Sequence, residues 1–337
     1  MKSSTVVAIV LGVLLAFTGV GTAAGIIWSN KMADSGAPPK NLPSNWPTHN
    51  GELPNDVAMP TGQMVAALPT STAGHVLCRA LPQQRWEEIL GGRALTEVQK
   101  PGTCHVVTDT LDVTVHLDQA QANAPAGDQV DVAGHQGTVA RNPSTILADL
   151  SVRLVETPNT SPDVKPYLYV HILQDPNDRQ KLPLDDHAVA IARDIVAATT
   201  GPGQDLPVQR RGTITAKAVD PVPGHGIAGA AWPAISWQMC TQLAHALDVR
   251  PASATARFRG ECTVTSGRRS VTARYEESSA KNYPETIGGR PARVEAGVVQ
   301  IKLTDDSDQE LSLSGTGFDD PALRALAGTV VPPLVGR

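Results

Sequence analysis

Aromatic residues make up only 4% of this 337-residue chain, and charged residues only 18%. A core poor in large rings has to be built from small aliphatic side chains and held by other means. The net charge of −5 leaves no basic field for a phosphate backbone, so nucleic-acid binding is excluded as an expectation. Metal and redox chemistry lack their usual spacings. There is no Cys-x-x-Cys pair and no His-Glu-x-x-His, and the 9 histidines are scattered. No Gly-x-Ser-x-Gly elbow and no phosphate-loop motif occurs, and no cofactor is implied. His105 and His116 fall in expected strands, too far apart in sequence to define a site.

What is present is first an apolar amino terminus. No charge interrupts the chain between Lys2 and Lys31, and the run Val6–Trp28, as a helix, is about 35 Å long. That length crosses a hydrocarbon core, with Trp28 and Lys31 suited to the interface. Gly21-Thr22-Ala23-Ala24 offers a cleavage site, but Ile26, Ile27 and Trp28 continue the run past it, which favours an uncleaved signal anchor. Residues 1–4 are then a cytoplasmic tip, 5–28 the anchor and 29–70 a Pro-rich tether. Everything beyond is exported, so the chain is expected to be a single-pass protein of a bacterial cell membrane with an extracytoplasmic bulk. Its partners are the membrane itself and an envelope or membrane protein.

The exported part repeats itself. Residues 71–200 and 234–337 flank a Gly/Pro-rich linker at 201–233, in which Pro223-Gly224-His225-Gly226 reads as a turn. In each copy a Cys, Cys78 or Cys240, opens a stretch with helical apolar spacing. Each stretch leads to a second Cys after a glycine, in Gly102-Thr103-Cys104 and Gly260-Glu261-Cys262. Alternating strands follow, and then an acidic-capped helix at Asp185-Asp186 or Asp319-Asp320-Pro321. Between them lie Gly137-Thr138-Val139-Ala140-Arg141 in the first copy and Gly289-Arg290-Pro291-Ala292-Arg293 in the second. The expected class is α+β, each copy an antiparallel sheet of four or five strands with packed helices. In an oxidising compartment the cysteines are expected as two structural disulfides, Cys78–Cys104 and Cys240–Cys262, each joining a helix start to a strand start.

Cys240, Cys262, the Tyr283-Pro284 step and Gly288-Gly289-Arg290-Pro291-Ala292 carry a resemblance. Over residues 235–335, and more weakly over 73–200, the chain resembles domain-of-unknown-function family 3558 of actinobacterial envelope proteins. The resemblance implies an exported α/β sandwich similar to the Mog1/PsbP-like fold, with the first copy degenerate, and no established activity. It departs from the family's lipoproteins in having no lipid-attachment cysteine after the apolar run.

Two further features have residue types that could carry chemistry or binding. Asp305-Asp306-Ser307-Asp308-Gln309-Glu310 alternates carboxylates as a calcium loop does, but lacks the glycine of an EF-hand, and reads as a solvated hairpin turn. Trp232 and Trp237 flank Pro233 in a weakly charged segment. They either fill the seam between the two copies or present an interaction surface. The expected function is therefore a non-enzymatic interaction module or subunit of an envelope complex. The alternatives are a carrier of a small or lipid ligand and, third, an extracytoplasmic hydrolase.

Overall fold

The computed structural model describes residues 51–99, 102–120, 127–140, 146–156, 161–277, 281–305 and 309–336. The segments expected as cytoplasmic tip, anchor at 5–28 and tether up to residue 50 lie outside the described residues. Among the described residues no helix is long and apolar enough to cross a membrane.

The first half opens with a 3-10 turn at Gly62–Ala67, followed by helices α1 (Thr70–Arg79) and α2 (Gln83–Leu90). Strands β1 (Leu95–Gln99), β2 (Thr103–Val107), β3 (Leu111–Asp118) and β4 (Gly127–Val132) come next. They are followed by β5 (His135–Ala140), β6 (Leu147–Arg153), β7 (Tyr167–Gln174) and helix α3 (Leu184–Thr199). The strands form one antiparallel sheet in the order β1-β2-β3-β7-β6-β5-β4, with α1 and α3 on one face. Helix α3 presents Leu184, Ala188, Ile191, Ala192, Ile195, Val196 and Thr199 to that face at helical spacing. Asp185 and Asp186 in its first turn favour the positive end of the helix dipole.

The second half has β8 (Thr213–Ile214), helix α4 (Trp232–Ala246), β9 (Thr255–Arg257), β10 (Glu261–Ser266) and β11 (Arg269–Glu277). After these come β12 (Glu285–Ile287), β13 (Arg290–Glu295), β14 (Val298–Lys302), β15 (Gln309–Thr316) and helix α5 (Asp320–Leu334). Asp319 caps α5 by accepting the Ala322 amide, and Pro321 occupies its first turn. Read from β9, this sheet runs β9-β10-β11-β15-β14-β13-β12, the same relative order as the first, with β8 added beyond β9.

Several expectations need correction. The described chain is mostly two antiparallel sheets, of seven and eight strands, with few helices, rather than an α+β chain of four- or five-stranded units. The strands that escaped notice are mainly edge or near-edge ones. Strand β4 is polar and largely exposed and β9 is three residues long, so neither carries a clear alternating signal. Neither helix starts at its cysteine, so the disulfides do not join helix starts: α4 begins at Trp232, and Cys240 lies in its middle. Cys78 sits near the end of α1, and Trp86 belongs to a separate α2. The tether does not extend to residue 70, because Met64, Val65, Ala66, Ala67 and Leu68 are buried.

The linker is also more than a spacer. It donates β8 to the second sheet and binds the chain start through Gly62 N to Gly201 O (2.8 Å) and Gln63 N to Gln204 O (3.0 Å). It also meets the carboxyl end, through Ile227 N to Leu334 O (2.8 Å). The glycine motifs align differently from the sequence reading. Gly288-Gly289 is the two-residue turn between β12 and β13, both residues having positive φ. Its topological counterpart is Ala133-Gly134 between β4 and β5, whereas Gly137 lies inside β5.

Candidate functional site

Alternation along the first sheet sends Cys104, Val106, Val113, Val115, Leu150, Val152, Leu168 and Val170 towards the helices. The residues between them form the opposite, polar face. Strand register lines up Asp149, His171, Thr114, His105 and Glu97 across β6, β7, β3, β2 and β1. A neighbouring row runs Gln129, Thr138, Ser151, Tyr169, His116 across β4, β5, β6, β7 and β3.

His105 lies buried between two carboxylates, Nδ1 at 2.8 Å from Glu97 and Nε2 at 2.9 Å from Asp112. The Gln99 amide donates to the Glu97 carboxylate at 2.8 Å. Burial by itself lowers the imidazole pKa. The hydrogen bonds to Asp112 and Glu97, together with their charges, outweigh it and raise the value above the ordinary one. With both ring nitrogens engaged by carboxylates, His105 is suited to holding three strands together rather than to shuttling a proton. His171 is different: its Nδ1 bonds Asp149, and both side chains are half-exposed. That dyad orients an imidazole, but among the described residues no hydroxyl is hydrogen-bonded to its other nitrogen. His116 stacks on Tyr169 with centroids 5.3 Å apart, and burial lowers its pKa.

At the β4–β7 end of the same face, Gln129, Gln136, Thr138, Ser151, Arg153 and Tyr167 line a polar pocket of about 260 Å³. The other depression of note, between α2 and α3, has Leu81, Ala197 and Ala198 in its lining and is bordered by the Arg85–Asp194 ion pair (2.6 Å). It is wider and shallower.

The second sheet has its own buried charge. Glu310, wholly buried on β15, receives Lys281 Nζ at 3.0 Å, the Tyr283 hydroxyl at 2.7 Å and the Gln300 amide at 3.2 Å. It therefore belongs to a strand and not to a solvated acidic turn. Asp305 pairs with Arg290 at 2.8 Å, and residues 306–308 lie outside the described residues.

The four cysteines form the expected disulfides, Cys78–Cys104 and Cys240–Cys262, each tying a helix to the second strand of its sheet run. Trp232 and Trp237 are not on a surface: they are 4% and 3% exposed. Trp232 packs edge-on against Tyr275, and Trp237 donates its indole N–H to Thr215 O at 2.9 Å. Trp237 thus holds the linker, and Trp232, through Tyr275, backs the contact between the two halves. There the Glu277 carboxylate accepts the Ser71 amide at the start of α1, the Thr72 hydroxyl reaches Ala228 O (2.8 Å), and Gln309 donates to Ser71 Oγ (3.0 Å). Burial raises the Tyr275 pKa at this seam.

Two spacings that the sequence reading takes as absent, a dinucleotide fingerprint and a Ser-x-x-Lys, are present in the chain. Gly224-His225-Gly226-Ile227-Ala228-Gly229 matches a dinucleotide fingerprint and precedes α4. A Cβ at Gly226 would meet Leu334 O at 2.3 Å, so this close approach serves the chain's own carboxyl end. Ser278-Ser279-Ala280-Lys281 has a Ser-x-x-Lys spacing; Ser278 lies outside the described residues and Lys281 is committed to Glu310.

Comparison with known proteins finds no match: no family model fits the chain, and neither a curated protein nor a solved structure is similar to it.

Proposed function

We propose that the chain is a non-enzymatic interaction module of a bacterial envelope, held to the membrane by its apolar amino terminus and acting as a subunit of a membrane complex. The observation that carries this reading is the pair of disulfides following an apolar run long enough to span a bilayer. Disulfides persist in oxidising compartments, so the combination fits export with retention at the membrane. The titratable clusters also support a binding role: His105 and Glu310 are consumed in buried ion pairs rather than poised for proton transfer.

Photo-crosslinking of the full-length chain in intact cells, followed by detergent purification and mass spectrometry, tests the reading. Recovery of one specific membrane or envelope protein supports it. Recovery of none, with a glycan or lipid bound instead, replaces it with the carrier reading, which the polar pocket on the first sheet favours for a small hydrophilic ligand.

A further inference from the structure

We propose that the pocket at the β4–β7 end of the first sheet is a subsite for a carboxylate-bearing carbohydrate. The proposal rests on the reading of the chain as a binding module and names what this one surface takes. Its volume of about 260 Å³ lies just below the range of about 300–1,000 Å³ usual for small-molecule pockets, and suits a single sugar unit.

Two of the lining groups have polar atoms that no protein group satisfies among the described residues. Ser151 is 5% exposed and its Oγ has no hydrogen-bond partner; the buried Arg153 Nε has none either. Buried polar atoms are nearly always paired, so two orphans in the lining of one pocket point to a partner from outside the chain. The other side chains are arranged among themselves. Gln136 Nε2 donates to Gln129 Oε1 (2.9 Å), and Gln129 Nε2 donates to Thr138 Oγ1 (3.1 Å). That chain leaves the Thr138 hydroxyl proton, the second amide hydrogens and the Gln136 carbonyl for a ligand. Such a mixture of donors and acceptors recognises hydroxyl groups, which both give and accept.

Charge selects the rest of the ligand. Among the described residues Arg153 is the one ionisable cation of the lining, and no carboxylate lines the pocket. Its ion-pair partner there, Glu156, is 3.8 Å away on a side chain 82% exposed, too weak a partner to neutralise it. A single planar guanidinium matches a carboxylate through two parallel hydrogen bonds, whereas a phosphate dianion calls for more than one cation. Tyr167 adds a ring at the rim with one apolar side and one polar tip, fit to lie along the C–H face of a sugar.

The test uses the full-length chain in detergent micelles, with binding read by saturation-transfer NMR. The probes are D-glucuronate, D-glucose, acetate and inorganic phosphate. Glucuronate is expected to bind, with glucose and acetate each weaker by about tenfold or more, since each keeps half of the recognised chemistry. Arg153→Gln and Arg153→Lys should each weaken glucuronate by about tenfold or more, the lysine variant because it keeps the charge but loses the fork. Ser151→Ala should weaken binding while leaving the unfolding midpoint unchanged or higher, because it deletes an unpaired buried hydroxyl. Equal binding of acetate, or tighter binding of phosphate, overturns the proposal in favour of a bare anion site. Equal binding of glucose, or no signal from any probe, also overturns it. The crosslinking result is independent. A recovered protein partner with no glucuronate binding sinks only the subsite; glucuronate binding without a protein partner sinks only the complex-subunit reading.

Discussion

Removing the Cys240–Cys262 bond, by replacing both cysteines with alanine, should destabilise the chain by about 3 kcal/mol. The figure follows from the 22 residues that the bond separates: closing a loop of that length removes about 11 cal/mol/K from the unfolded ensemble. The Cys78–Cys104 bond spans 26 residues, and the same relation makes it worth only about 0.1 kcal/mol more. The two double substitutions should therefore be near-equal, with a small further loss from the voids left where Cys240, Cys262 and Cys104 are fully buried. Urea unfolding of the full chain, followed by circular dichroism, measures this. At a slope of about 3 kcal/mol/M each midpoint should fall by about 1 M. A reduced wild-type sample, denatured in excess thiol, separates loss of the bond from loss of the sulfur atoms. Losses under about 1 kcal/mol for both pairs, or one twice the other, would refute the loop-closure account.

Three other changes test particular contacts. The His105 pKa is raised in the folded chain, so its contribution is fully present below the unfolded value of 6.5 and is lost as pH rises through the folded one. The stability gap between wild type and His105→Asn should accordingly be widest near pH 5.5, at about 3 kcal/mol, and narrow by pH 8.5; a gap that widens with pH contradicts the paired imidazolium. Glu277→Gln should cost about 1 kcal/mol, because it weakens the acceptor at the start of α1, and adding Ser71→Pro to remove the amide should make the glutamine change nearly silent in a double-mutant cycle. Gly102 has φ +86° and a Cβ there would lie 2.3 Å from Thr70 O, whereas Gly91 has φ +71° and open space around it. Gly102→Ala should therefore lose about 3 kcal/mol and Gly91→Ala about 1 kcal/mol in thermal unfolding; equal losses would show that backbone strain alone decides both.

The parts of the fold visible in the sequence are those whose signal is local. Alternation at Leu111, Val113, Val115 and Leu117 identifies β3, and Asp319 with Pro321 marks the start of α5. The cysteine pairs follow from separation alone. Helix α1 was hidden because Thr70-Ser71-Thr72-Ala73-Gly74 is poor in helix formers. Its Thr72 and Ala73 amides turn back to Pro69 O, but the Ser71 amide is satisfied by Glu277, far away in sequence, which no local pattern can show. The polar pocket was hidden for the same reason. Gln129, Thr138, Ser151 and Arg153 come from three strands and meet only through register, and none belongs to a recognisable motif. His105 stands out by residue type, but its two carboxylates sit on the adjacent strands, one before it in sequence and one after.

The way the chain enters the first sheet has a mechanical consequence. Glu52 exchanges two backbone bonds with Val98 at the sheet edge (3.0 and 2.7 Å), Gly51 N reaches the Glu97 carboxylate (3.3 Å), and Asn55 N reaches His75 (3.0 Å). A pull applied at residue 51 would load these bonds one after another, as a peel, and not all together as a shear. The strip, held besides by the Arg79–Asp56 ion pair and by Val57 packed on the core, would come away as far as the stitch of Gly62 and Gln63 to the linker, behind which Met64–Leu68 are buried in the core. Slack of about ten residues, at about 3.4 Å each, would then let the folded body move some 30 Å under tension without unfolding. The same peel would uncover the Glu97 carboxylate and, behind it, the imidazole of His105.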